Sequence, residues 1–198
     1  MNIAVFASHG GSDLQAIIDG CKSGSLGAKV CAVISNNSNS LALERARKEK
    51  IDNYHISQKV IPNSEDLDNR LLEILSYHET DMIFLAGYMR MLGIPILRNY
   101  ENRIFNIHPA LLPKYGGKGM YGMNVHNAVI SAKEKVSGVT IHRVNEEYDS
   151  GEIVAQTVVD VMEKDSAETL ADRVLKREHT FLVEVIQNII DGRIKLGV

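Results

Sequence analysis

The sequence has 198 residues, 24% of them charged, and a formal net charge of −3. This length suits one domain with a substantial core, which we expect to span 1–198. The small net charge argues against a nucleic-acid surface or an acidic tail. No apolar run reaches the ~20 residues that span a bilayer, and the first residues lack the basic n-region of a signal peptide. We therefore expect a cytoplasmic protein that binds neither nucleic acid nor membranes, with Cys21 and Cys31 reduced.

In the first half of the chain, short apolar runs alternate with amphipathic stretches. Runs that are apolar on both faces suit strands of a covered sheet, and amphipathic stretches suit helical crossovers between parallel strands. In chain order, the predicted strands are NIAVFA, AKVCAVISN, NYHIS, DMIFLAG and RIFNIH. The predicted helices are SDLQAIIDGCK, SLALERARKEK and SEDLDNRLLEIL. This alternation predicts an α/β fold on a mostly parallel, Rossmann-like sheet.

The second half begins with a loop rich in glycine and proline, PALLPKYGGKGMYGM, and a short helix near VHNAVISAKE. Two strand-like runs, GVTIHRV and EIVAQTVVDV, are separated only by NEEYDSG, so we expect them to pair antiparallel. A long helix follows through DSAETLADRVLKREHTFLVEVIQNIIDG, with a predicted capping box from Asp165 to Glu168 and a stop at Gly192. The prediction is a single-domain sheet with helices on both faces and an antiparallel strand pair near the C-terminus.

Two polar residues project from the predicted strand RIFNIH. In a strand, residues i and i+2 point to the same face, so Asn106 and His108 project together while Phe105 and Ile107 point away. Pro109 ends the strand because it has no backbone N–H. His108 therefore lies near the carboxyl end of the strand, where open α/β sheets bind ligands. The alternative is an ordinary strand end with two hydrogen-bonded polar residues.

The segment FASHGGSDLQAII places a glycine pair between the first strand and the first helix. Unpaired N–H groups at the start of a helix favour an anion such as phosphate. The segment has no G-x-G-x-x-G fingerprint, and the second strand ends in ISNN without the acidic residue that binds an adenosine ribose. We therefore favour a phosphorylated small molecule over a nicotinamide dinucleotide. The alternative is a plain N-cap by Ser12 or Asp13.

Other residues carry weaker signals. Asp149 belongs to an Asp-Ser-Gly segment, which on its own is a common turn. Glu178 interrupts the apolar stripe of the last helix, so it is either ion-paired within the fold or faces a cationic ligand group. Neither His126 nor His142 has metal-ligand spacing to other candidates, and we expect no metal.

Four segments resemble the glycinamide ribonucleotide formyltransferases, which are folate-dependent enzymes of purine synthesis: SHGGSDLQAII, LAGYMRML, FNIHPALLPKY and GVTIHRVNEEYDSG. The resemblance covers nearly the whole chain. It implies formyl transfer from 10-formyltetrahydrofolate, a cosubstrate, to glycinamide ribonucleotide, with no protein-bound cofactor. It also implies a phosphate-binding half, about 1–100, and a folate-binding and catalytic half, about 101–198. The sequence leaves a homodimer open.

The same resemblance assigns residues to the site. The catalytic residues are Asn106, His108 and Asp149. The substrate-binding residues are Gly11, Ser12, Asp13, Leu175, Lys176, Arg177 and Glu178. The folate-binding residues are Ser64, Met89, Arg90, Met91, Leu92, Asn106, Asn145, Glu146, Glu147, Tyr148 and Asp149. The chain departs from the family at Asp13, where Asn is usual, and at Ser64, where some members have a basic residue.

The implied chemistry needs hydrogen-bond donors at the oxyanion of a tetrahedral intermediate, which Asn106 and His108 can supply from one strand face. We expect the Asp149 carboxylate to keep His108 charged, because an opposite charge favours imidazolium. The glycine-rich loop 115–123 is a candidate lid over the folate.

Three other functions are alternatives. A methionyl-tRNA formyltransferase is expected to carry an additional C-terminal tRNA-binding domain, whereas this chain ends soon after its last helix. A formyltetrahydrofolate deformylase, which hydrolyses the same donor, is expected to carry an additional N-terminal domain. A non-catalytic nucleotide-binding domain has no need for Asn106, His108 and Asp149 to converge.

Overall fold

Seven strands form one sheet in the computed structural model of the protein, which describes residues 1–195. The last three residues of the predicted domain 1–198 lie outside the described residues. The strands are β1 Asn2–Phe6, β2 Lys29–Ser35, β3 Asn53–His55, β4 Met82–Leu85, β5 Ile104–His108, β6 Val136–Arg143 and β7 Ile153–Asp160. Their spatial order is β3-β2-β1-β4-β5-β6-β7.

Helices connect the strands and cover the sheet. They are α1 Ser12–Ser23, α2 Leu41–Lys48, α3 Ser64–Tyr77, α4 Ile94–Asn99, α5 Met123–Ser131 and α6 Ala167–Ile190. The sequence pattern did not predict α4, because six residues are too few for a helical period to emerge; Pro95 lies in its first turn. Across residues 1–195, no helix has both the length and the apolar character needed to cross a membrane.

The sheet has the predicted mixed architecture. Strands β1 to β5 pair parallel, and β6 pairs antiparallel with both β5 and β7. Ile3 and Val5 belong to one buried apolar cluster, and Ala4 and Phe6 belong to another. Because successive strand residues point to opposite faces, both faces of the sheet are covered. The predicted α/β class is confirmed.

The chain reverses its direction of strand addition at β1, which lies between β2 and β4. Open α/β sheets bind ligands outside the carboxyl ends of the strands at such a point. The loop after β1, the segment after β4 and the end of β5 therefore meet at one edge of the sheet, where His108 is the last residue of its strand.

The β6–β7 turn carries Asp149 to this edge. Asp149 has a φ of 53°, in the left-handed region that a non-glycine residue rarely adopts. Gly151 then passes so close to β6 that a Cβ would lie 1.8 Å from the Arg143 carbonyl oxygen. The close approach at Gly151 therefore fixes the path by which Asp149 reaches β5.

The last helix begins differently from the prediction. Ser166 is its N-cap, and Ser166 and Thr169 hydrogen-bond each other's backbone N–H through their hydroxyl groups. The predicted capping box at Asp165 is wrong, because that carboxylate instead pairs with the Arg173 guanidinium through both oxygens. Gly192, with a φ of 71°, follows the end of the helix as predicted.

We expect Gly151→Ala to lower the free energy of unfolding by about 1–3 kcal/mol, because the new methyl group must displace β6 backbone. Urea denaturation followed by circular dichroism measures this change. Gly27→Ala is the matched control, since its Cβ would meet its nearest neighbour, Ile190, at an ordinary 3.6 Å. Equal stability of the two variants would contradict the role given to Gly151.

Candidate active site

A cleft of about 770 Å³ opens at the carboxyl ends of the parallel strands. Its walls come from the loop after β1, the segment after β4, the end of β5, the loop before α5, the β6–β7 turn and one face of α6. This volume is within the range of small-molecule sites. The six segments are distant in the chain, so the cleft exists only in the folded protein.

Asn106 and His142 face each other across β5 and β6. Asn106 Nδ2 lies 3.0 Å from His142 Nε2, and His142 Nδ1 lies 2.8 Å from the Arg143 carbonyl oxygen. Because a carbonyl oxygen only accepts, Nδ1 carries the hydrogen, and Nε2 accepts from the Asn106 amide. This contact depends on the register between two strands, which the sequence pattern does not reveal.

The Asp149 carboxylate joins the other polar groups of the cleft. Its Oδ2 accepts a hydrogen bond from the Gly117 N–H at 2.9 Å and lies 3.6 Å from His108 Nδ1. Its Oδ1 lies 3.4 Å from both Asn106 Nδ2 and His142 Nε2. Burial acts to raise the pKa of Asp149, but the neighbouring His142 and His108 side chains and the Gly117 N–H together lower it below its usual value. Asp149 is therefore ionised at neutral pH.

His108 is held between Asp149 and the loop 115–123. Its Nε2 donates to the Tyr115 carbonyl oxygen at 2.7 Å, which leaves Nδ1 facing Asp149. Burial lowers the pKa of His108, and this effect exceeds the opposing attraction of Asp149. The expectation that Asp149 keeps His108 charged is therefore wrong. The lost hydration destabilises the imidazolium more than a carboxylate at 3.6 Å stabilises it.

The loop 115–123 orients both of these residues. Its Tyr115 carbonyl binds His108, and its Gly117 N–H binds Asp149. A Cβ at Gly116 would lie 2.4 Å from a Leu112 methyl carbon, so the loop needs glycine where it passes the β5 end. The sequence indicated a lid here, and closure of the loop remains a prediction. The sequence did not indicate that the loop positions His108 and Asp149.

His126 of α5 adds a further polar group to the cleft. Its Nδ1 is buried and has no hydrogen-bond partner among the described residues. Burial and then the neighbouring His108 lower the pKa of His126, so its ring is uncharged at neutral pH. In the described part of the chain, no group of three His, Cys, Asp or Glu side chains could hold a metal ion.

The first turn of α1 has backbone N–H groups that no side chain caps. Gly11 is the N-cap residue, with a φ of 68°, and the cap makes no side-chain hydrogen bond. The alternative of an N-cap by Ser12 or Asp13 is therefore wrong. These N–H groups are open to an anion at the edge of the cleft.

Helix α2 holds the loop before α1 from the outside. Ser40 Oγ and the Ala42 N–H donate to the His9 carbonyl oxygen at 2.9 and 3.1 Å. Arg45 Nε donates to the Gly10 carbonyl oxygen at 2.9 Å. The loop carbonyls are thus bound to α2, which leaves the N–H groups that follow them for a ligand. Sequence reasoning missed Arg45, because nothing in the helical pattern of α2 relates it to the glycine pair.

Two carboxyl side chains from different helices line the same cleft. Asp13 of α1 and Glu178 of α6 are 9% and 7% exposed. Burial raises the pKa of Asp13 to about 6. Burial, and then the negative charge of Asp13, raise the pKa of Glu178 well above its usual range. Within residues 1–195 no basic side chain forms an ion pair with Glu178, so of its two alternative roles the structure favours the one facing a ligand.

The other predicted site residues divide into two groups. Those that line the cleft are Met89, Arg90, Met91, Leu92, Asn145, Glu147, Tyr148 and Leu175. Those that do not line it are Gly11, Ser12, Ser64, Glu146, Lys176 and Arg177. The Arg177 guanidinium binds Glu184 and Thr157, away from the cleft. Ser64 is the first residue of α3, where Asn63 is the N-cap.

The family model described as formyl transferase matches residues 1–186. The chain belongs to the formyl transferase family. It is 41% identical over 194 residues to a chloroplastic phosphoribosylglycinamide formyltransferase of Arabidopsis thaliana, covering 98% of this chain and 66% of that protein. The chain thus spans just under two thirds of the length of this plant relative. It is 36% identical over 196 residues to phosphoribosylglycinamide formyltransferase of Escherichia coli K12, covering 99% of this chain and 90% of that protein.

Solved structures share the fold. Glycinamide ribonucleotide transformylase 1 of Symbiobacterium toebii superposes with a TM-score of 0.89 at 37% identity, covering 98% of this chain and 89% of that one. A formyltetrahydrofolate deformylase of Pseudomonas syringae superposes with a TM-score of 0.84 at 25% identity, covering 97% of this chain and 62% of that one. The fold of the family therefore occurs in a protein named a transformylase and in one named a deformylase.

We expect Asp149→Asn to lower the pKa of His108 further, because the carboxylate is the main group that opposes the effect of burial. NMR titration of isotopically labelled histidine measures the pKa of His108 in the wild type and in Asp149→Asn. Asp172→Asn is the control, since Asp172 lines the same cleft and makes no ion pair with a histidine among residues 1–195. A His108 pKa that stays constant or rises in Asp149→Asn would contradict the proposed electrostatics.

Proposed function

We propose that the protein transfers the formyl group of 10-formyltetrahydrofolate to the amine of glycinamide ribonucleotide, a step of purine synthesis. The observation that carries this proposal is the meeting of Asn106, His108 and Asp149 beside the uncapped first turn of α1. This arrangement combines groups suited to acyl transfer with a place for a phosphate. The names of the Arabidopsis and Escherichia coli relatives agree with it.

In this proposal the ribonucleotide lies between α1 and α6. Its phosphate binds the N–H groups that follow Gly11, at Ser12 and Asp13, and the Arg45 contact keeps the loop in place. Glu178, whose raised pKa favours the acid form, receives the amine end of the substrate through a hydrogen bond. Leu175 lines the cleft near Glu178, and direct contacts of Lys176 and Arg177 with substrate remain predictions.

The folate occupies the other part of the cleft. Met89 and Met91 after β4 are 38% and 44% exposed, and Tyr148 is 49% exposed. Adaptable thioether and aromatic side chains of this kind suit the flat ring of a pterin. The polar edge of the ring faces Asn145 and Glu147 of the β6–β7 turn, which line the same wall. Roles for Arg90, Leu92, Glu146 and Ser64 remain predictions from the resemblance.

The reaction begins when the amine nitrogen attacks the formyl carbon. A C–N bond forms, the carbonyl electron pair moves to oxygen, and the nitrogen becomes positively charged. Asn106 Nδ2 stabilises the oxyanion as it forms, and one aimed donor of this kind is typically worth ~3 kcal/mol. His108, whose one N–H donates to the Tyr115 carbonyl, contributes once it has gained a proton. The 3.4 Å separation of Asn106 Nδ2 from Asp149 is long for a hydrogen bond, so one amide hydrogen is available to the oxyanion.

The uncharged state of His108 suits the proton transfer that follows. Asp149 relays the surplus proton of the attacking nitrogen to His108, which becomes imidazolium beside the oxyanion. His108 then gives that proton to the folate nitrogen as its bond to the formyl carbon breaks and the carbonyl re-forms. The products are formylated ribonucleotide and tetrahydrofolate, and the protein returns to its initial charge state.

We expect Asn106→Ala, His108→Ala and Asp149→Ala each to reduce formyl transfer at least about a hundredfold, because each removes a group that acts on the transition state. The measurement is the rate of tetrahydrofolate release with both substrates present, with circular dichroism to check folding. Asp19→Ala on the exposed side of α1 is a control that should keep the wild-type rate. A folded His108→Ala protein with near-normal turnover would refute the assignment of His108.

Hydrolysis of the formyl donor is the second candidate function, since the Pseudomonas syringae deformylase shares the fold. We expect formate release without an amine acceptor to be slower than formyl transfer by at least about a hundredfold, because the site positions an amine rather than water. Formate release without glycinamide ribonucleotide and tetrahydrofolate release with it, assayed in parallel, measure this ratio. Equal rates would favour a hydrolase, and no reaction in either assay would favour a non-catalytic nucleotide-binding domain.

A homodimer and a cytoplasmic location remain predictions.

A further inference from the structure

Asp13 is a carboxyl group at the place where the proposed function puts the phosphate of the substrate. It lies in the first turn of α1, and its Oδ1 is buried with no hydrogen-bond partner among the described residues. His179 Nε2 lies 3.5 Å away and is also buried without a hydrogen-bond partner in that range. A carboxylate at this position opposes a phosphate dianion, so its protonation state determines whether it repels or binds the ligand.

The groups around Asp13 on other elements give little support to its charged form. Glu178 of α6 adds a second carboxyl to the same cleft, and His9 lines the cleft from the loop before α1. Burial, and then the positive charge of Arg45 on α2, lower the pKa of His179 on α6, so this imidazole is uncharged at neutral pH. The N-terminus of α1 favours a negative charge, but burial prevails and raises the pKa of Asp13 to about 6.

We propose that Asp13 binds the phosphate of the ribonucleotide as a neutral carboxylic acid, with its O–H donating to a phosphate oxygen. This inference rests on the proposed function, which seats the phosphate at the first turn of α1. The acid form supplies a charge-assisted hydrogen bond, whereas the carboxylate would repel the dianion. An Asn at this position donates through its amide at any pH. Asp13 therefore makes the phosphate site dependent on a proton where an amide would not.

Because a proton is taken up on binding, the proposal predicts the direction in which the affinity changes with pH. At a pH above the pKa of free Asp13, about 6, the carboxylate must take one proton from solvent when the phosphate binds. Affinity then falls as pH rises, by up to about tenfold per pH unit. The phosphate itself loses a proton near pH ~6, and this contribution is the same for wild type and variants. A difference in the pH dependence of affinity between wild type and an Asp13 variant therefore comes from Asp13.

The test is calorimetric titration of glycinamide ribonucleotide into the full chain from about pH 6 to about pH 8.5. Each pH is measured in two buffers of different ionisation enthalpy, which gives the number of protons taken up. Asp13→Asn keeps shape and donor but cannot ionise. We expect it to take up fewer protons, by as much as one per site, and to bind more tightly than wild type at the alkaline end. Asp19→Asn, an exposed carboxylate on the same helix, should leave both quantities unchanged.

Asp13→Ala separates hydrogen bonding from charge. It removes the donor and the negative charge together, so we expect weaker binding than in Asp13→Asn at every pH and no linked proton at this position. Binding of the ribonucleotide with the same pH dependence in wild type and Asp13→Asn would overturn the assignment of Asp13 and leave the proposed function standing. Wild-type protein that binds no ribonucleotide at any pH would overturn both.

Discussion

The site depends on one partly buried carboxylate that several chain segments contact at once. Asp149 lies within 3.6 Å of His108, within 3.4 Å of His142 and Asn106, and accepts a hydrogen bond from Gly117. An ionised carboxylate in such a place needs a compensating donor, and the Gly117 N–H supplies one. Its neighbours Asn106 and His108 are groups that the proposed reaction uses. The left-handed backbone at Asp149 and the close passage of Gly151 along β6 hold the carboxylate there.

Burial has opposite consequences for the two ends of the cleft. Around Asp149, backbone and side-chain donors offset the lost hydration, so this carboxyl stays charged while the less well compensated imidazole of His108 is neutral. Around Asp13 and Glu178, such donors are fewer, and both carboxyl groups favour protonation. The cleft therefore holds a permanent negative charge on Asp149 at the proposed reaction centre. At the proposed ribonucleotide site, the charges of Asp13 and Glu178 depend on protonation. This separation suits a reaction in which charge develops only at the centre.

Much of the fold could be predicted from the sequence because strand and helix periods are strong in this chain. The parallel strands, the antiparallel pair and the long α6 follow from apolar patterning alone. The helix α4 could not be predicted in this way, since its six residues give no period. The N-cap of α6 shows a similar limit: Asp165 and Ser166 are both good caps, and only the contact of Asp165 with Arg173 decides between them.

The candidate site was predictable to the extent that its residues are close in the chain. Asn106 and His108 share a strand face, which their spacing predicts directly. The register between β5 and β6 brings His142 to the site, and the packing of α2 on the glycine loop brings Arg45. Tyr115 contributes through its backbone carbonyl. The sequence pattern predicts none of these contacts. His108 was predicted to be charged, but burial lowers its pKa and the ring is uncharged. The sequence shows a carboxylate partner for His108 but does not show how deeply the ring is buried.

The most direct test of this account is a crystal structure of the protein with glycinamide ribonucleotide and a folate analogue that cannot transfer its formyl group. We expect the phosphate on the first turn of α1 and the amine nitrogen about 3–3.5 Å from the formyl carbon. That carbon should lie between Asn106, His108 and Asp149. A complex with the phosphate elsewhere, or with the formyl carbon beyond the reach of all three side chains, would contradict it.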